Sequence, residues 1–373
     1  MKIIQIMDNF SVGGGVNSFV YDLCRAMKEQ NYDVSLIGII DNGYNNNPQV
    51  EALMKNGIRV ECIGANSKSN ALIKCIGKLR NKIIEISAGE PTVCNLHLKL
   101  SVLMGGLASI KLKNVICVET YHSLYHNYWL ENRLMSPFIK HYIACSESAK
   151  DEFIMRFHPN SERITAIPNG VNRAALRKQV AGNTRNDRKI TAISVGRFTN
   201  QKNLHITAEA FAGIDNENFE YKIFGCGECE EKIRDAANGN TNVKLCGPVQ
   251  RNEIINELAN SAIVVMPSLW EGLSIFMLEA MAMDCPMMIS DVRSLRDVFH
   301  EKELRQGESW RACSWGYLVA TSNIQAYREA MLDFLTNRLN DEKIRDSVKI
   351  YSKEYDISKT ALSYLQVYNS IWK

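Results

Sequence analysis

Alternation is what most constrains this chain. Short apolar runs rich in β-branched residues trade places with longer segments whose apolar positions return every three or four residues. A chain patterned this way folds into parallel sheets covered by helices, because a parallel connection needs a crossover long enough to hold a helix. The spacing predicts strands over 3–7, 33–40, 57–63, 115–119 and 141–145. It predicts helices over 17–30, with Phe19, Leu23 and Met27 on one face, and over 71–86. Ser146 directly follows an apolar run and reads as a helix N-cap.

From 172 to 189 the periodicity lapses into a polar stretch, and then the pattern starts again. Strands are predicted over 190–195, 219–224, 243–245, 263–266 and 287–289, with helices over 204–212, 230–238, 251–260 and 276–283. Two rounds of one pattern in 373 residues, too many for one ordinary core, imply an α/β chain of two Rossmann-like domains. Their expected bounds are 1–172 and 190–357, with an interdomain linker at 173–189. An aromatic-rich helix at 358–373 is expected to pack back toward the first domain.

Composition narrows the class of protein. With 46% hydrophobic and 23% charged residues, disorder is not the default. The opening apolar run stops at Asp8, too short for a signal peptide, and no run approaches the roughly 20 apolar residues that span a bilayer. A cytoplasmic protein is expected. The eleven cysteines are scattered, as small buried hydrophobes of a reducing compartment would be. Only Cys226 and Cys229 have metal-like spacing, and no second pair or histidine lies near them in sequence. Residues 1–180 carry 21 Lys/Arg against 15 Asp/Glu, and the remainder 23 against 26. The positive field of the first half favours an anionic partner. Nucleic acid is not expected, since the basic residues lack interleaved aromatics and the second half is acidic.

The densest motif is PSLWEGLSIFMLEA, from Pro267 to Ala280. It follows an apolar run and opens a helix, the junction at which open α/β sheets hold ligands. Backbone N–H groups at a helix start favour phosphate there, and Gly272 lets the main chain come close. Here the chain resembles the retaining family-4 glycosyltransferases of GT-B fold, and the resemblance runs over nearly its whole length. It implies two Rossmann-like domains facing each other across a deep cleft, the first for the acceptor and the second for the nucleotide-sugar.

What the resemblance implies can be placed residue by residue. Glu271 and Glu279 would hold hydroxyls toward either end of the donor, and Gly272, Leu273 and Ser274 would meet its phosphates. Gly196 and Arg197, with Lys202 downstream, look like the family's Gly-Arg and Lys-Asn element, whose cations stabilise a departing diphosphate without a metal. Gly225 resembles the family's Gly-x-Gly turn, and Val249 lies in the segment that runs beside the base. Gly14 and Gly15 belong to a glycine loop that approaches donor and acceptor, although no G-x-G-x-x-G follows. His122 matches the family's active-site histidine; His126, four residues on, is a weaker candidate with no carboxylate pattern for a metal. The turn from Pro168 to Val171 matches a family turn expected to shape the hinge. Two departures stand out: Asp284 and Cys285 where a glycine is common after the conserved helix, and Arg293 and Ser294 where paired glycines are common.

The implied reaction is transfer of a sugar from a nucleoside diphosphate, UDP or GDP, to a glycan or lipid-linked acceptor. The setting is cell-surface polysaccharide or lipopolysaccharide assembly, with retained configuration and no cofactor or metal. The helix at 71–86 pairs Leu72, Ile73, Ile76, Leu79 and Ile83 with Lys74, Lys78, Arg80 and Lys82. It reads equally as an ordinary sheet-packing helix or as a dock for the anionic inner face of a membrane. Two rival functions share the fold: a sugar-nucleotide 2-epimerase and a silent nucleotide-sugar binding module. The intact segment from Glu271 to Glu279 weighs against the first, and the presence of Arg197, Lys202 and Glu279 against the second.

Overall fold

The computed structural model describes residues 1–11, 14–68, 74–122, 133–181 and 189–372, which form two compact units. The first, Met1–Asn172 with Tyr355–Lys373, is built on a seven-stranded sheet ordered β3-β2-β1-β4-β5-β6-β7. Its strands are β1 (Lys2–Asn9), β2 (Asp33–Ile40), β3 (Arg59–Ala65), β4 (Thr92–His97), β5 (Val115–Tyr121), β6 (Ile139–Ala144) and β7 (Ile164–Ala166). Every pairing is parallel. The helices between them are α1 (Gly15–Glu29), α2 (Pro48–Lys55), α3 (Ile76–Ser87), α4 (Lys99–Ala108) and α5 (Glu147–Phe157). Ser146 caps α5 by accepting from the Ala149 N–H at 3.1 Å.

β4 carries no sequence signal. It reads TVCNLH, and although all six residues are buried, Thr92, Asn95 and His97 break the apolar run. Its identity comes from pairing on both edges, Ile3 with Val93 and Cys94 with Cys117. The order places β1 beside β4, so the connections after these two strands leave in opposite directions and open a crevice at their carboxyl ends.

The second unit, Arg173–Glu354, repeats the plan with the order β10-β9-β8-β11-β12-β14-β13. It begins with α6 (Arg173–Val180), in the stretch expected to be linker. Leu176 is the buried residue of α6, too little for a periodic signal, and Arg177 fixes the helix by an ion pair to Asp284 at 2.5 Å. Residues 182–188 of that stretch lie outside the described residues. The strands that follow are β8 (Ile190–Val195), β9 (Phe219–Phe224), β10 (Val243–Gly247), β11 (Ile263–Met266), β12 (Met287–Ser290), β13 (Trp310–Cys313) and β14 (Gly316–Val319). Among the described strands of this unit only β13 runs antiparallel to its neighbour. The helices are α7 (Leu204–Ala212), α8 (Glu230–Ala237), α9 (Arg251–Asn260), α10 (Ile275–Ala282), α11 (Arg293–Arg296), α12 (Ile324–Asp333) and α13 (Glu342–Ser352). Tyr221 anchors one face: its ring meets Phe211 edge-on at 4.9 Å, and its hydroxyl reaches Ser194 and Thr207 at 2.6 and 2.8 Å.

The chain then returns to the first unit at Tyr355, three residues before the expected bound, and ends in α14 (Ile357–Ile371), whose N-cap is Asp356. It packs on α1, with Tyr364 against Phe19 at 6.2 Å. The turn from Pro168 to Val171 receives it: the Val171 N–H donates to the Tyr355 carbonyl at 3.0 Å, the Ile357 N–H donates to the Val171 carbonyl at 3.1 Å, and a Cβ on Gly170 would lie 2.8 Å from the Ile357 Cα.

The described part of the basic helix, α3, spends its apolar stripe on the protein. Leu79, Ile83 and Ile86 are buried. Arg80 donates to the carbonyls of Ala108 and Ile110, and Lys82 is paired with Glu61 and Glu85. That is the ordinary sheet-packing helix; of its basic residues, Lys74 and Lys78 stay exposed. Leu72 and Ile73 lie outside the described residues. No described helix is long and apolar enough to cross a membrane.

Candidate functional site

In the second unit the sheet order places β8 beside β11, again with connections departing in opposite directions. The loops leaving these strands carry the residues singled out from sequence. Gly196 and Arg197 follow β8, and Lys202 lies on the loop before α7. Glu271 lies on the loop between β11 and α10. Here the loops meet: Lys202 Nζ bonds Glu271 Oε1 at 2.5 Å, and the Ser268 hydroxyl donates to the same carboxylate at 2.7 Å. Backbone contacts lock the junction, since the Leu269 N–H donates to the Gln201 carbonyl at 2.8 Å and the Gln201 amide to the Trp270 carbonyl at 2.9 Å. Glu271 is 5% exposed, so these partners replace the water that its carboxylate oxygens lose on burial.

The glycines answer to close packing. The Lys202 stem crosses Gly196, where a Cβ would sit 3.1 Å from Lys202 Cε. Gly225 has φ +139°, and a Cβ there would come within 1.9 Å of the Gly196 carbonyl oxygen. Its place in the sequence motif is therefore accounted for by one loop backbone lying directly on another. Arg197 is exposed beside this junction.

Ser274 caps α10 through a bond from the Met277 N–H at 3.4 Å. Glu279, within that helix, is held by Arg251 Nε at 2.6 Å, with both side chains largely buried. Arg251 opens α9 just beyond Val249 and was missed in the sequence, because nothing local marks an arginine 28 residues from its carboxylate. Asp284, in place of the family's glycine, occupies the left-handed backbone with φ 56° and takes the Arg177 ion pair. Arg293 and Ser294 open the short α11, Ser294 buried and Arg293 paired with Asp297 at 3.6 Å.

The first unit gathers a polar set at its own crevice. His122 follows β5, half-buried, with Nε2 2.8 Å from Nδ1 of the fully buried His97 at the end of β4. The Phe19 ring meets His122 edge-on at 5.6 Å. Burial, with the neighbouring His122, holds the His97 pKa well below that of an ordinary histidine. Asp8, at the end of β1, accepts from the backbone N–H of Ser101 at 2.8 Å and fastens the start of α4. Burial raises its pKa, and the backbone N–H groups of Ser101 and Leu100 oppose the rise. Between them Leu98 holds φ 73°, ψ 169°, a conformation that needs such surrounding support. Gly14 is the N-cap of α1 and Gly15 its first residue; Asn17 shapes the loop by donating to Ser11 O and Oγ at 2.9 and 3.0 Å. Gly13, Ser123 and His126 lie outside the described residues.

Among the described residues no three or more His, Cys, Asp or Glu side chains are grouped as metal ligands, and Cys226 and Cys229 are free thiols.

Two doubly wound sheets, one gathering cations and carboxylates at its switch point, define a Rossmann-like α/β architecture. Comparison narrows this further. The model for glycosyl transferases group 1 matches residues 177–354, and that for glycosyltransferase family 4 matches 13–175. Between them the two models cover nearly the whole chain, which belongs to the family-4 glycosyltransferases and has their GT-B fold. It is 28% identical to the Escherichia coli UDP-Gal:alpha-D-GlcNAc-diphosphoundecaprenol alpha-1,3-galactosyltransferase over 54% of this chain and 51% of that protein. It is 27% identical to a Mycobacterium leprae phosphatidyl-myo-inositol mannosyltransferase over 55% of this chain and 53% of that one. The chain thus spans about half the length of these curated relatives. In fold it is similar to Anabaena HepE, solved in complex with UDP and glucose, with a TM-score of 0.75 at 16% identity over 99% of this chain and 100% of that one.

Proposed function

We propose that this chain is a retaining, metal-independent hexosyltransferase. Its donor is a nucleoside diphosphate sugar, with UDP or GDP as the nucleotide. Its acceptor is a glycan or a lipid-linked sugar of cell-surface polysaccharide or lipopolysaccharide assembly. The observation that carries the reading is the meeting of Lys202 and Glu271 at the β8/β11 switch point, beside the exposed Arg197 and the start of α10. Support also comes from the UDP and glucose bound to HepE and from the UDP-sugar in the E. coli relative's name.

In this reading the bond between the anomeric carbon and the diphosphate oxygen breaks while the acceptor oxygen bonds the same carbon on the same face. The departing phosphate oxygen takes the acceptor's proton. Arg197 and Lys202 supply the positive charge that the leaving diphosphate needs, with α10 adding the partial charge of its N-terminus. Glu271 holds Lys202 in place before the donor arrives. His122, at the crevice of the first unit, is assigned a catalytic role. A lipid-linked acceptor would bring the enzyme to the inner face of a membrane, where Lys74 and Lys78 are the basic residues that α3 and its approach leave exposed.

The test pairs binding with turnover. A nucleotide-sugar screen should raise the thermal midpoint with UDP- or GDP-sugars over ADP-sugars, since a ligand at 100 times its Kd adds about 2.7 kcal/mol. Arg197→Ala with Lys202→Ala should lower kcat by about 100- to 1,000-fold. Turnover near wild type in that double variant would sink the charge-stabilisation scheme.

A further inference from the structure

Behind His122 runs a buried polar chain that sugar transfer, as described above, leaves unused. Gln5 on β1, Asn95 and His97 on β4 and Thr120 on β5 sit on adjacent strands, and all four are buried. His97 Nε2 lies 2.7 Å from Gln5 Oε1 and 3.1 Å from Asn95 Nδ2. Asn95 Nδ2 also donates to Gln5 Oε1 at 2.9 Å, and Thr120 Oγ1 donates to Asn95 Oδ1 at 3.0 Å. The Gln5 amide nitrogen is turned the other way, toward Met27 Sδ at 3.6 Å.

One proton arrangement fits this set. Gln5 Oε1 can only accept, and its contact with His97 Nε2 is the shorter of the two, so Nε2 carries the His97 proton. His97 is fully buried against a second imidazole and stays neutral, which leaves a lone pair on Nδ1. That lone pair faces His122 Nε2 at 2.8 Å, so His122 must donate there. The rings lie 27° apart in plane, 5.1 Å between centroids, with Phe19 edge-on to His122.

We infer that His97, backed by Gln5, is a positioning residue that fixes His122 as its Nε2–H tautomer. The proton of neutral His122 is then committed inward, and Nδ1 carries none. Whatever Nδ1 meets, it meets as an acceptor for a hydroxyl or for developing positive charge, and not as a proton donor. The consequence for catalysis rests on the transferase reading; the tautomer itself does not.

Long-range proton–nitrogen correlation spectra of histidine-labelled full-length protein test this directly, with signals assigned from His97→Gln and His122→Gln. His97 and His122 should both show the Nε2–H pattern in the wild type without any substrate. An Nδ1–H pattern at either residue overturns the inference and leaves the donor-site reading untouched. Turnover gives the second arm. Gln5→Leu and His97→Phe should lower kcat by about 10- to 100-fold, the range seen when the partner behind a functional histidine is removed in metal sites. Donor KM should stay within about twofold, since only the reacting geometry is disturbed. Because a bulky replacement can harm folding, kcat is compared only for variants whose circular dichroism matches wild type. An unchanged kcat in Gln5→Leu, with His122 still Nε2–H, would show that the relay holds nothing in place.

Discussion

Single side chains decide whether the switch point of the second unit is charged or merely polar. Glu271 is buried, and its Oε1 accepts from both Lys202 and Ser268. Removing Lys202 alone leaves a desolvated carboxylate with weaker support, a cost of about 1–3 kcal/mol. Removing both charges, as in Lys202→Met with Glu271→Gln, should recover most of that loss, because replacing a buried ion pair is often nearly neutral. Urea unfolding of the two single variants and the double variant measures the coupling. If Lys202→Met alone leaves the midpoint where it was, the pair is solvated and does not brace the two loops. Arg197 differs: it is exposed at the junction, so its replacement should spare stability and register in turnover.

At the level of elements, the loops leaving β8 and β9 are pressed together backbone to backbone. The Gly196 N–H bonds the Phe224 carbonyl at 3.0 Å, the Phe198 N–H bonds the Cys226 carbonyl at 2.8 Å, and no Cβ fits at Gly225. Gly225→Ala combines backbone strain with a direct clash and should lower stability by at least about 2 kcal/mol. Chemical denaturation checks it; a loss within about 0.5 kcal/mol, the ordinary surface range, would mean the loops separate easily. Element identity was read from local periodicity in β8, α7, β9, α9 and β11. It was not legible in α6, with its single strong anchor, or in β4, whose Asn95 and His97 belong to the buried network behind His122, and α2, α4, α12, α13, β7, β13 and β14 were not predicted either. The amphipathic pattern of α3 was read correctly as a pattern, yet its choice of partner lay outside the sequence: the stripe faces the protein.

Across the whole molecule, buried histidines tie stability to pH. His141 on β6 bonds Thr165 Oγ1 at 2.9 Å, and burial, with Arg163 nearby, lowers its pKa to about 4 from an ordinary 6.5. Above 6.5 it is neutral folded and unfolded, and contributes no pH dependence. As pH falls from 6.5 to about 4 the unfolded chain takes up a proton that the folded chain refuses, so stability drops through that window and this contribution levels off below it. His97 acts in the same direction. In His141→Gln the slope of unfolding free energy against pH should flatten over that range. An identical slope would mean that the ring is already hydrated in the folded chain.

What the sequence determined by itself was the rhythm of the chain: two rounds of strand and helix, hence two parallel sheets, and the loops at strand ends where ligand chemistry belongs. Periodicity is written in neighbouring residues, so it survives reading one residue at a time. The partnerships were decided only in three dimensions. Lys202 meets Glu271 across 69 positions, Arg251 meets Glu279 across 28, and His97 meets His122 across 25. Each depends on which strands become neighbours and on how closely their loops approach, and those are set by non-local pairing and burial, on which local propensity is silent.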